Sequence, residues 1–142
     1  MLTNKRLKWG MVVVVLAGAG ATLVGLAQRE AAAGEKWASN VYISTSQRYA
    51  YGSLGTARNS SSNIENIGCS TWTAGTYDEV TCTAKMSGSG TPSASCSTFD
   101  QDIAEAARAI NGDSWLEFDW DANGECTELF VSQASRLAPK AP

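Results

Sequence analysis

Between Asp100 and Glu128 the chain places nine acidic side chains against a single base, Arg108, and five of the acids, Glu117, Asp119, Asp121, Glu125 and Glu128, crowd the last twelve residues of that stretch. Carboxylates this dense support two kinds of chemistry. A pair flanking a glycosidic bond can serve as acid and as nucleophile or base. Alternate side-chain oxygens followed by glycine can wrap a calcium ion, and Asp119, Asp121, Asn123 and Gly124 in "DWDANGEC" match the start of an EF-hand loop. The match then stops. The twelfth position, a bidentate glutamate in such loops, is Phe130, and the flanking residues alternate as strands do. The same stretch is what a β-hairpin needs to turn, with Gly124 free to take positive φ. The reading is a hairpin tip, with Asp119, Asp121 and Asn123 as weak calcium candidates, no favoured metal and no cofactor.

Other catalytic routes are closed or unsupported. Histidine is wholly absent, which removes Ser-His and Cys-His nucleophile systems. A serine–lysine dyad would need Lys36, Lys85 or Lys140, and none lies in a recognisable motif. The carboxylate glycosidase is the one enzymatic route left, and so small a domain encloses a substrate cleft with difficulty. The expectation is a protein that is not an enzyme.

Eight further side chains bear on recognition. Trp37, Trp72, Trp115, Trp120, Tyr42, Tyr49, Tyr51 and Tyr77 are many for the length. Four of them, Trp72, Trp115, Tyr49 and Tyr51, fall at positions that face outward, where rings form a platform for sugars or an anchor for a protein. The competing reading is that these rings seal a small core.

The compartment follows from the first residues. Lys5, Arg6 and Lys8 precede an uncharged stretch from Gly10 to Gln28, and "AAAG" then supplies small residues at Ala31 and Ala33. This is the layout of a signal peptide over 1–33, cut before Gly34. A cut after Ala27 and a retained anchor are the alternatives; Gly18, Gly20 and Gly25 weaken the anchor. Without that leader, 34–142 carries thirteen acids and seven bases, a net charge of −6. Such a surface repels phosphate backbones, so nucleic acid is not an expected partner, and a membrane is one only through an uncleaved leader.

Cys69, Cys82, Cys96 and Cys126 all follow the leader. An even cysteine number in a small exported chain implies two disulfides, and the absence of C-x-x-C pairs and histidine argues against zinc. Pairing "NIENIGCSTWT" with "DEVTCTAKM" sets Cys69 opposite Cys82. Centring the next hairpin on Ser89 sets Cys82 opposite Cys96. Spacing alone does not choose; Cys69–Cys82 with Cys96–Cys126 is favoured because the second bridge ties the helix entrance to the last hairpin.

The elements that position these residues read as strands, one helix and a hairpin. Val41 and Ile43 in "NVYIST" alternate as a half-buried strand, whereas "RYAYGSLGTARNSSSN" reads as a surface turn. Val80, Cys82, Ala84 and Met86 share one face of a strand, as do Ala94 and Cys96. The helix spans about 98–110, with a Thr98/Gln101 capping box, an apolar stripe of Phe99, Ile103, Ala106, Ala107 and Ile110, and a stop at Asn111 and Gly112. In "SWLEFDWDANGECTELFVS", Leu116, Phe118 and Trp120 alternate with polar or outward residues, as do Leu129 and Val131, so the segment is a hairpin with one apolar face. The fold class is α+β, with a small antiparallel sheet of about five strands in an order that also fits an OB-type open barrel.

The skeleton "IGC … TCTA … SCST … INGDSWLEFDWDANGEC", from about Ile67 to Ser132, resembles a group of small exported bacterial proteins of uncharacterised function. The resemblance implies a self-contained exported domain and transfers no activity or site residue. The resulting expectation is a secreted or periplasmic module, 34–142, that binds an envelope glycan or an extracellular protein through exposed aromatics. A secreted inhibitor presenting "SGSGTP" or "AGTY" is the alternative, and a small glycosidase a third. Intact mass of exported material, measured before and after reduction, checks the basis of this reading: the chain is expected to begin at Gly34 and to gain four hydrogens.

Overall fold

The computed structural model describes residues 37–139, all within one compact unit, Glu35–Pro142. The expected signal peptide, 1–33, and both candidate cleavage points lie outside the described residues. The chain runs β1 (Tyr42–Ser44), β2 (Tyr49–Ser53), α1 (Leu54–Asn59), β3 (Asn66–Ala74), β4 (Tyr77–Lys85), β5 (Ser93–Thr98), α2 (Gln101–Arg108), β6 (Trp115–Trp120) and β7 (Cys126–Ser132). The strands form two antiparallel sheets, β1-β2-β6-β7 and β3-β4-β5. The α+β class is correct. Seven strands replace the expected five, and two separate sheets replace a single barrel-like one.

The missing strand is β2. "RYAYGS" reads as a turn because its inward residues are Ala50 and Gly52, small side chains that give no apolar signal. Both are buried, and Tyr49 and Tyr51 point the other way. Smallness is a packing requirement here, because a Cβ on Gly52 would press within 3.1 Å of the Val41 backbone. α1, which also went unread, packs on β2 and β3. Its Gly55 lies so close to the C-terminal segment that a Cβ there would collide with the Ala138 carbonyl oxygen. The same segment runs beside Trp37, which bridges Leu137 and whose N–H donates to the Arg136 carbonyl at 2.8 Å.

α2 begins later than its capping-box pattern suggests. Thr98 is held in the β5 ladder opposite Val80, so Asp100 becomes the N-cap and accepts from the Asp102 and Ile103 N–H groups. Phe99 therefore precedes the helix and is exposed, while Ile103, Ala104 and Ala107 form the buried stripe. The helix ends at a right-handed Ala109, and the Asn111 side chain accepts from the Asp113 N–H in the following turn, so no left-handed stop forms at Gly112. Arg108 pairs with Asp78 of β4.

The core lies between the sheets and under α2, which packs on β3, β4 and β7. Its largest fully buried side chains are Phe118, Leu116 and Val80, a modest set. Sulfur supplements it. The disulfides are Cys69–Cys82 and Cys96–Cys126. Both cysteine registers anticipated from the spacing exist together: Cys69 is opposite Cys82, and Cys82 opposite Cys96, in one row across the three-stranded sheet. The Cys82, Cys96 and Cys126 sulfurs lie within 4.8 Å of one another, all buried. Cys96–Cys126 joins the two sheets covalently, and each bridge typically adds about 2–4 kcal/mol. The contact at Gly55 is testable. Gly55→Ala is expected to cost roughly 1–3 kcal/mol by overpacking and to lower the melting temperature. Gly68→Ala, whose Cβ would meet nothing within 4 Å, is expected to stay within about 0.5 kcal/mol.

Candidate functional site

Strand alternation sorts β2, β6 and β7 into two faces. Ala50, Leu116, Phe118 and Leu129 turn to the core, which leaves Tyr49, Tyr51, Trp115, Glu117, Asp119, Glu128 and Phe130 on the outer face of the four-stranded sheet. Register aligns them in rows. Tyr42, Tyr51, Glu117 and Phe130 lie side by side across the four strands, and Ser44, Tyr49, Asp119 and Glu128 form the next row. Trp115 stands in a third row between Ser53 and Ser132.

The rings form one connected array. Tyr42 lies 6.0 Å from Tyr49 and 5.3 Å from Tyr51, centroid to centroid. Tyr49 and Tyr51 are nearly parallel, at 9° and 6.1 Å. Tyr51 meets Trp115 at 5.8 Å, and Trp115 meets Phe130 at 5.9 Å and Trp37 at 6.1 Å. The indole N–H of Trp115 donates to Ser39 Oγ at 3.1 Å, which fixes that ring. At the rim the Arg136 guanidinium sits 5.4 Å from the Trp37 ring centroid, a cation–π contact. Tyr42, Phe130 and Trp37 expose two-fifths or more of their surface.

Of the four expected ligand-binding residues, the structure brings Tyr49, Tyr51 and Trp115 together. Trp72 is not with them: it is well exposed, but on β3 of the other sheet, opposite Glu79. Three members of the array, Tyr42, Phe130 and Trp37, were not among the four expected ligand-binding residues. Tyr42 and Phe130 carried the signal, since each alternates with buried or half-buried neighbours, Val41 and Ile43 in one case, Leu129 and Val131 in the other. Trp37 carried none, because only its bridge to Leu137 places it.

Three carboxylates share this face. Asp119 is directly opposite Glu128, and Glu117 is two residues along β6 on the same side. No ion pair reaches them among the described residues. Partial burial, then the Asp119 and Glu128 charges, push the Glu117 carboxyl above its ordinary range. Asp119 is raised by burial and then by Glu128. The Tyr49 phenol is raised by desolvation, with Tyr42, Tyr51 and Glu117 adding to it.

The hairpin tip behaves differently. Asp121 Oδ1 accepts from the Asn123 and Glu125 N–H groups, and Oδ2 accepts from Asn123 Nδ2. These bonds, that from Glu125 foremost, hold its carboxyl below the usual range. Asp121 is thus engaged in closing the turn, where Gly124 takes φ +83°, while Asp119 faces Glu128 on the sheet. Neither a family model, nor a curated protein, nor a solved structure matches the chain.

The raised carboxyls have a stability consequence of definite sign. A carboxyl with a higher pKa folded than unfolded makes the native state bind protons more tightly. Its cost is absent well below the ordinary carboxyl range and complete once pH exceeds the raised native value. Asp119→Asn removes one of two opposed charges, a pair worth roughly 0.2–1 kcal/mol. Its melting temperature at pH 7 is expected to rise by roughly 1–5 °C. The gain over the parent should shrink as acid protonates Asp119; an equal gain at every pH, followed by thermal denaturation, counts against the repulsion.

Proposed function

We propose that the protein is an exported, non-catalytic binding module that recognises an envelope glycan through the outer face of its four-stranded sheet. The observation that carries this reading is the unbroken ring array on that face. Aromatic rings offer apolar area at low conformational cost, and they stack against the C–H faces of sugar rings. The carboxylates beside them, when ionised, accept hydrogen bonds and donate none, which suits a ligand rich in hydroxyl donors. The rings stand on a four-stranded sheet backed by the core, so the surface is preorganised and loses little freedom on binding.

An exported location agrees with both disulfides, which persist in oxidising compartments. Among the described residues no helix is long and apolar enough to cross a membrane. Catalysis by the acidic trio is disfavoured by its position on an open sheet face, where water is not excluded.

Retention on insoluble cell-wall glycan tests the assignment. Tyr51→Ala and Trp115→Ala are each expected to weaken retention about tenfold or more, as loss of a central aromatic anchor does. Trp72→Ala, on the other sheet, should leave it unchanged. Far-ultraviolet circular dichroism confirms that the variants fold. Retention that survives both ring substitutions, or that follows Trp72, sinks the reading.

A further inference from the structure

Resting on that reading, we infer that the glycan held on the ring array carries free, protonated amines rather than neutral or acidic groups. The rows of the sheet interleave rings with negative charge: Glu117 lies between Tyr51 and Phe130, and Asp119 between Tyr49 and Glu128. The hydroxyls of a neutral sugar could donate to the three carboxylates but would leave their charge and mutual repulsion uncompensated, and a uronate or phosphate polymer would be repelled by them. A protonated amino sugar satisfies both features. Its C–H face covers a ring, and its ammonium donates to carboxylates while lying near the negative faces of tyrosine and tryptophan.

Two observations make a cation the fitting occupant. Asp119 and Glu128 are directly opposed across β6 and β7, an arrangement that disfavours the folded state and that a bound cation reverses. The array also already accepts a cation of its own, since Arg136 lies over Trp37 at the rim. The remaining rings, Tyr42, Tyr49, Tyr51, Trp115 and Phe130, have no cation over them among the described residues. A basic peptide shares the charge but not the flat, repeating apolar unit, so an array that spans all four strands favours the glycan.

The test uses glucosamine oligomers and N-acetylglucosamine oligomers of equal length, which share a backbone and differ in the free amine, with an oligolysine peptide of equal charge as control. Titration calorimetry of the leaderless chain at pH 6 and low salt is expected to show at least tenfold tighter binding of the glucosamine oligomer. Glu117→Gln with Glu128→Gln should remove that preference, whereas Tyr51→Ala should weaken both sugars. Equal affinity for the two sugars, lost on Tyr51→Ala, overturns the amine assignment and leaves glycan binding standing. Oligolysine binding as tightly as the glucosamine oligomer overturns the glycan and assigns the face to basic protein segments. Binding of no sugar, with Tyr51→Ala without effect on cell-wall retention, overturns the underlying function.

Discussion

The alternation of β6 is the constraint on which the rest of the molecule depends. Leu116 and Phe118 supply the two largest fully buried side chains, and Trp115, Glu117 and Asp119, the residues between and beside them, supply the middle of the outer face. Because successive side chains point to opposite faces, core and candidate site are set by one register. A slip of one residue against β2 would bury Glu117 and expose Phe118. The apolar demand of the core therefore holds the outward rows in place, and the bulge beside Asp119/Trp120, where Thr127 is left without a register partner between Cys126 and Glu128, turns Cys126 to the core side although it shares its alternation with outward Glu128 and Phe130.

A face of this kind asks much of a small protein. The core behind the sheet that displays the rings is built largely of small or medium side chains, Ala50 of the sheet itself and Ala104, Ala107 and Val80 among them. Covalent links compensate. Cys96–Cys126 ties β5 to β7 and so holds the two sheets together at the end where the helix enters, and Cys69–Cys82 clamps the longest hairpin. At the opposite edge the fit of Gly55 under Ala138 brings Arg136 and Leu137 alongside Trp37. The ring array thus continues beyond the sheet because the segment at Arg136 and Leu137 pairs with Trp37 beside it.

The electrostatics of the face run against stability, and those of the turns run with it. Asp100 caps α2, Asp121 closes the β6–β7 turn and Asp78 pairs with Arg108, each carboxylate meeting donors. Glu117, Asp119 and Glu128 meet one another. Acids of the β6–β7 hairpin thus fall into two populations, Asp121 bonded to backbone donors of the turn and Glu117, Asp119 and Glu128 facing one another on the sheet.

Much of this was determined by the sequence alone. Period-two alternation marks β3 to β7, four cysteines without C-x-x-C spacing or histidine imply two bridges, and the acids and rings form the pool from which the face is drawn. The β6–β7 hairpin was legible to its apolar side because Leu116, Phe118, Leu129 and Val131 alternate strictly. Other features were decided only by the tertiary structure. β2 is hidden because its inward residues, Ala50 and Gly52, answer to the close approach of Val41 and not to hydrophobicity. The Thr98 cap loses to Asp100 because ladder pairing with Val80 outweighs a local hydrogen bond. Trp72 and Tyr51 look alike along the chain, yet strand order sends them to different sheets. Local pattern reports which way a side chain points within its strand; only the packing of strands far apart in sequence decides which outward side chains share a surface.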